Sequence, residues 1–221
     1  MNQKRREKLK ENTERLLSEH SSPTSKNPSD VLIIESIKFL APSKRRKKLL
    51  LLVFIGLFLL YFFVLIKNGR VISNFMDIVK EVSEIVIPTF AVVITGYAIF
   101  QALANGSTLI NLIIVNGKKG SKFEEYNLFF LGVSILYLFI MLLNLVLFII
   151  FKNIPKEWCI KSLSIEANNA LASLLIAFYL TFIINAIIEL KSFIYNLYQC
   201  FNINAASETI NYLKEPEETK K

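Results

Sequence analysis

LLLLVFIGLFLLYFFVLI, residues 49–66, decides the fold. Eighteen apolar residues in a row rise roughly 27 Å as an α-helix, close to the hydrocarbon thickness of a bilayer. Backbone N–H and C=O groups find no water in lipid, so such a run has to satisfy its own hydrogen bonds as a helix. Working outward, three further apolar runs follow at 85–104, 128–151 and 170–188. The expected fold is an all-α integral membrane protein with four transmembrane helices arranged as two hairpins.

Composition agrees with that class. The hydrophobic fraction is 53% and the mean hydropathy +0.44 over 221 residues, which places the chain in the membrane class. The runs divide the chain into a basic arm, 1–48, a membrane domain, 49–190, and a tail, 191–221. The arm holds thirteen Lys or Arg against six Asp or Glu. Its densest cluster, Lys44, Arg45, Arg46, Lys47 and Lys48, abuts Leu49, which suits anionic lipid headgroups and the positive-inside rule. That placement favours a membrane surface over nucleic acid, and no nucleic-acid partner is expected.

Basic residues also set orientation. With the N-terminus in the cytosol, twenty Lys or Arg lie on the cytosolic side and six on the other, so both termini are expected in the cytosol of a multi-pass protein of the cell membrane. Cys159 and Cys200 then lie on opposite sides and do not pair. No cleavable leader is expected, because the first apolar run is too long for one and is followed by Lys67 rather than a small-residue cleavage site.

Within the arm, residues 1–20 offer only Leu9, Leu16 and Leu17 for burial, so a solvated helix or disordered arm is expected, followed by a linker at 21–30 with Pro23 and Pro28. The segment 31–41 reads as a short amphipathic helix at the membrane surface or against a partner. Pro88 reads as the first turn of the second span, with Glu84 just before it. The pair Asn105-Gly106 reads as a break. Past the second and fourth spans the chain stays apolar, through 109–115 and through Phe193, Ile194, Leu197, Tyr198 and Phe201. These are expected as cytosolic helical extensions.

A shift of 84 positions aligns the two regions. Tyr97, Gln101, Asn105 and Thr108 fall on Thr181, Asn185, Glu189 and Ser192. Each quartet has the spacing i, i+4, i+8, i+11 and occupies one arc of a helix, which points to an internal duplication of hairpins. Polar residues in membrane helices face protein or water, so these stripes are candidates either for interhelical hydrogen bonding or for lining a path for ions or water. Glu189 is the sharpest of them. Asn144, deep in the third span, is a candidate for fixing helix packing or self-association.

Signatures of chemistry are sparse. The spans contain no His or Asp, the chain's one histidine, His20, sits in the arm, and no Cys or His spacing suits a metal. There is no phosphate-binding glycine loop. No cofactor, no metal and no enzymatic activity are expected. Two functions remain open: a sensor or anchor that recruits a soluble cytosolic partner through its arm and extensions, or a homo-oligomeric pore or membrane-permeabilising effector lined by the polar stripes. Self-association is expected in either case. In outline the chain resembles the small four-helix membrane components of bacterial defence and bacteriocin-immunity cassettes, which implies a role in such a system.

Overall fold

The computed structural model describes residues 3–21, 28–68, 71–117 and 120–214. Seven helices and a two-residue-per-strand hairpin follow in the order α1 (Gln3–Ser21), α2 (Pro28–Phe39), α3 (Lys44–Asn68), α4 (Val71–Leu103), α5 (Gly106–Ile114), β1 (Asn116–Gly117), β2 (Gly120–Ser121), α6 (Lys122–Asn153) and α7 (Ile165–Lys214). Four of them, α3, α4, α6 and α7, are long and apolar enough to cross a membrane. Most of the linker at 21–30, the basic residue Arg70, the Lys118–Lys119 pair and the end of the polar tail lie outside the described residues.

The chain forms two compact units. The first comprises Met1–Leu40, Val92–Ile135 and Lys191–Lys221, and the second Ala41–Ala91 and Leu136–Leu190. Helices α4, α6 and α7 contribute residues to both.

The three long helices share a repeat that sets their buried faces. α4 buries Ile72, Phe75, Val79, Val82 and Val86 in the second unit, then Val93, Gly96 and Phe100 in the first. α6 buries Tyr126, Phe130 and Val133, then Tyr137, Ile140 and Asn144. α7 buries Ile176, Tyr179, Ile183 and Ala186, then Phe193, Cys200 and Ser207. These positions alternate steps of three and four or recur every seven residues, the spacing that keeps a helix seam facing its neighbours in a left-handed supercoil. In the second unit Phe75 meets Tyr179 edge to face at 5.6 Å, and in the first Phe130 meets Phe100 at 4.9 Å and Phe193 at 5.1 Å between ring centroids.

Close approach in the first unit depends on two glycines. A Cβ on Gly96 would lie 2.7 Å from Phe193 Cε1 and nearer still to Cζ, and one on Gly132 would lie 2.6 Å from the Ser36 carbonyl oxygen. Gly96 therefore admits the Phe193 ring against α4, and Gly132 admits the backbone of α2 against α6.

α3 contrasts with these. None of its most apolar 18-residue window is buried, and Leu52, Leu60 and Phe63 stand more than half exposed. A helix that is apolar all round and unburied by its own chain requires an apolar medium or a second chain around it.

α4 begins at Val71, well before the expected first turn of the second span, so Pro88 lies inside the helix rather than at its start. The reason is the seam: Ile72, Phe75, Val79 and Val82 bury one face of this segment while Asp77, Lys80, Glu81 and Glu84 occupy the others. Asn105-Gly106 does break the helix. Gly106 takes φ +47°, a left-handed value suited to glycine, and the apolar residues beyond form α5 as a separate helix. The other apolar extension, by contrast, continues α7 without interruption.

Candidate functional site

In the second unit, α7 carries Asn185 and Glu189 one turn apart, and α3 carries Arg46 two residues after its first. Arg46 Nη1 donates to Glu189 Oε1 at 2.5 Å, and Arg46 Nη2 donates to the Asn185 carbonyl at 2.7 Å. The side chains are only 16% and 4% exposed, so both charges are largely out of water and each depends on the other. Tyr137 on α6 adds a hydrogen bond to the Ala186 carbonyl at 3.1 Å. Two atoms of the cluster stay unsatisfied: Arg46 Nε and Asn185 Oδ1 are buried without a partner.

This arrangement separates Arg46 from its four basic neighbours. Lys44, Arg45, Lys47 and Lys48 are exposed and present a basic collar at the start of α3, whereas Arg46 turns to α7. None of the apolar window of α3 is buried, and Arg46 ties the start of the helix to α7 through this ion pair and the Asn185 carbonyl. In the sequence Glu189 stands out, whereas Arg46 reads as one of five basic residues facing the lipid surface. The signal that joins them is a lone carboxylate at one apolar boundary and a basic cluster at another, 143 positions away.

A second polar element lies between α6 and α7. Tyr179 Oη donates to Asn144 Oδ1 at 2.9 Å, and Asn144, only 3% exposed, keeps its Nδ2 unpartnered. A half-satisfied buried amide ties the seam to one register, because sliding either helix would leave both groups unpaired.

The predicted stripes are divided between the units. Thr181, Asn185 and Glu189 belong to the second, and Tyr97, Gln101, Asn105, Thr108 and Ser192 to the first. Tyr97 Oη and Gln101 Nε2 both donate to Asn127 Oδ1, at 2.9 and 2.8 Å. Asn105 Nδ2 returns to the Ala102 carbonyl and Thr181 Oγ1 to the Ala177 carbonyl. Thr108, fully buried, donates to Asn204 Oδ1 at 2.9 Å. Ser192 is half-buried. Most of these polar groups are therefore spent on helix pairing or on their own backbone.

In the first unit α5 is held from two sides. Asn111 Nδ2 donates to Ser207 Oγ at 2.6 Å and Ser107 Oγ to Glu208 Oε1 at 3.1 Å on α7, beside the Thr108–Asn204 bond. On the other side lies α1. Asn12, 6% exposed, donates from Nδ2 to the Ile113 carbonyl at 2.7 Å, which satisfies one of the carbonyls a helix C-terminus leaves open. Arg5 bonds Asn111 Oδ1, and Arg15 pairs with Glu124, which also accepts from the Ser121 backbone and hydroxyl. The arm helix is thus docked rather than free. Among its described residues Asn12 is buried, whereas Leu9 and Leu16 are half-buried and Leu17 is 65% exposed.

The extension of α7 has two faces. Phe193, Cys200 and Ser207 are buried. Ile194, Tyr195, Tyr198 and Phe201 stand out at 66%, 61%, 60% and 46% exposure on a stretch, 192–207, without a charged residue. Aromatic side chains on a rigid helix, uncovered by the unit that carries them, have the composition of an interface core. Among the described residues no group of three or more His, Cys, Asp or Glu is placed to hold a metal ion.

No protein-family model, curated protein or solved structure matches the chain.

Proposed function

We propose that this chain is a non-enzymatic, multi-pass subunit of the cell membrane that anchors a soluble cytosolic protein. Its termini lie in the cytosol, its four apolar helices lie in lipid, and the basic collar of Lys44, Arg45, Lys47 and Lys48 rests on anionic headgroups. The observation that carries the reading is the uncovered stripe of Ile194, Tyr195, Tyr198 and Phe201. α1 and α5 are docked in the same unit, so the extension is held as a firm platform instead of a loose tail. A setting in a bacterial defence or immunity system accords with this architecture, in which sensing and anchoring reside in the membrane and the chemistry in the recruited protein.

The alternative is a homo-oligomeric pore. It draws support from α3, whose uncovered length offers a surface for a second copy. The pairing of Glu189 with Arg46 favours anchoring, since a neutralised carboxylate attracts cations weakly.

A photo-crosslinking amino acid placed at Tyr198, and at the exposed Val92 as a control, tests the proposal in intact cells. A soluble protein identified by mass spectrometry in the adduct from position 198, absent from position 92 and lost with Ile194→Ser/Phe201→Ser, supports it. Adducts with lipid alone, or only with a second copy of this chain, contradict it.

A further inference from the structure

The second unit contains a cavity of about 410 Å³ where the start of α4, the end of α6 and the loop before α7 come together. That volume lies in the range of small-ligand sites, roughly 300–1,000 Å³. Its inner wall is apolar and buried, with Ile72, Phe75 and Ile176 exposed by 8% or less. Phe151 closes one side, edge to face with Phe75 at 4.8 Å. Asn169, 6% exposed, also lines it. Its carbonyl accepts Ser173 Oγ at 2.8 Å, while the hydrogen bonds among the described residues leave its side-chain amide unused.

The rim has a different chemistry. It carries Trp158, 56% exposed, between the exposed Lys156 and Lys161, with Glu157 as the one acidic member. The loop that presents them is fixed in place. Asn168 accepts from the Ile160 N–H at 3.0 Å and donates to the Ile160 carbonyl at 3.1 Å, clamping the loop to the first turn of α7. Trp158 N–H closes a turn on the Pro155 carbonyl at 2.9 Å.

We infer that this cavity is a binding site for an anionic phospholipid of the bilayer, with an acyl chain in the apolar pocket and the phosphate between Lys156 and Lys161. Tryptophan at the boundary between an apolar floor and basic side chains matches the zone where headgroup meets hydrocarbon. The net positive rim selects an anionic headgroup over a zwitterionic one. A preformed loop and pocket lower the ordering that binding would otherwise require.

Trp158 is the only tryptophan in the chain, so the protein's tryptophan fluorescence arises at the rim of this cavity. The full-length protein is reconstituted in phosphatidylcholine vesicles containing brominated phosphatidylglycerol or, separately, brominated phosphatidylcholine. The site predicts quenching by the phosphatidylglycerol at about fivefold lower mole fraction, the preference that one net lysine at a bilayer surface confers. Lys156→Gln/Lys161→Gln abolishes the preference, and Ala172→Phe, which fills the pocket, reduces quenching by both lipids. Equal quenching of the native protein by the two lipids overturns the inference, as does a preference that survives the lysine substitutions. Quenching undiminished by Ala172→Phe overturns the cavity as its seat. If that variant does not fold, as judged by size exclusion, the exposed lysine pair and the native comparison still decide the question.

Discussion

Replacing Glu189 by glutamine strips Arg46 of its counter-charge while keeping shape and most packing. Both side chains are mostly buried, at 4% and 16% exposure. Removing one member of such a pair leaves an uncompensated charge and costs about 3–5 kcal/mol. At roughly 2–4 °C per kcal/mol for a chain of this size, the expected loss is about 6–20 °C in Tm. Arg46→Met has the same sign and a similar size, with the Asn185 carbonyl also losing its donor. The double variant Arg46→Met/Glu189→Met is expected to recover most of the loss, because an apolar pair of similar volume replaces an ion pair at little or no net cost. Fluorescence-detected size exclusion of heated, detergent-solubilised protein reads all four proteins in one series. Single variants within about 1 °C of the native protein, or a double variant worse than either single, would refute the claim that this ion pair secures α3 to α7.

Three further outcomes follow from packing and hydrogen bonding. Gly96→Leu drives a side chain into the Phe193 ring and is expected to cost about 1–3 kcal/mol, with Phe193→Ala in the same chain restoring part of it; thermal melts of the two and their combination check this. Tyr179→Phe leaves Asn144 without any side-chain partner and is expected to destabilise by about 1–3 kcal/mol, whereas Tyr179→Phe/Asn144→Leu, which removes both polar groups, comes out closer to the native value. Asn12→Leu removes the donor to the Ile113 carbonyl, a loss of about 1 kcal/mol, and is expected to speed proteolytic cleavage within α1 while leaving the global melt nearly unchanged.

The sequence makes the four long helices legible because a helix able to cross a membrane needs only a crude property, sustained apolarity over about 20 residues. It hides the helix faces for the same reason. When Leu, Ile and Phe cover every side of a helix, the seven-residue seam has no polar background to stand against. Some polar residues do mark it: Ser134, Asn144 and Ser173 inside apolar runs, and Asn169 and Glu189 at the two ends of one, are buried, whereas Thr95 and Gln101 are exposed. The early start of α4 escaped for the opposite reason, since Asp77, Lys80, Glu81 and Glu84 mask a buried row that is regular once every third or fourth residue is read. The docking of α1 is hard to read because its buried contact is Asn12 on a backbone carbonyl, which leaves no mark in a sequence, and its other ties, Arg5 to Asn111 and Arg15 to Glu124, join residues more than 100 positions apart. The break at Asn105-Gly106 could be read directly, because glycine is the residue that takes φ +47° without strain.

Anchoring of a cytosolic protein requires the α7 stripe to lie in the cytosol while the loop before α7 lies on the other side of the membrane. Cys159 is exposed on that loop, and Tyr198, 60% exposed, marks the stripe. A membrane-impermeant maleimide applied to intact cells and to inverted vesicles, with Tyr198→Cys in a Cys159→Ser/Cys200→Ser background and Cys159 in a Cys200→Ser background, measures the two positions separately. Cys159 is expected to react in intact cells and position 198 only in inverted vesicles; reaction of both from the same side would contradict this topology.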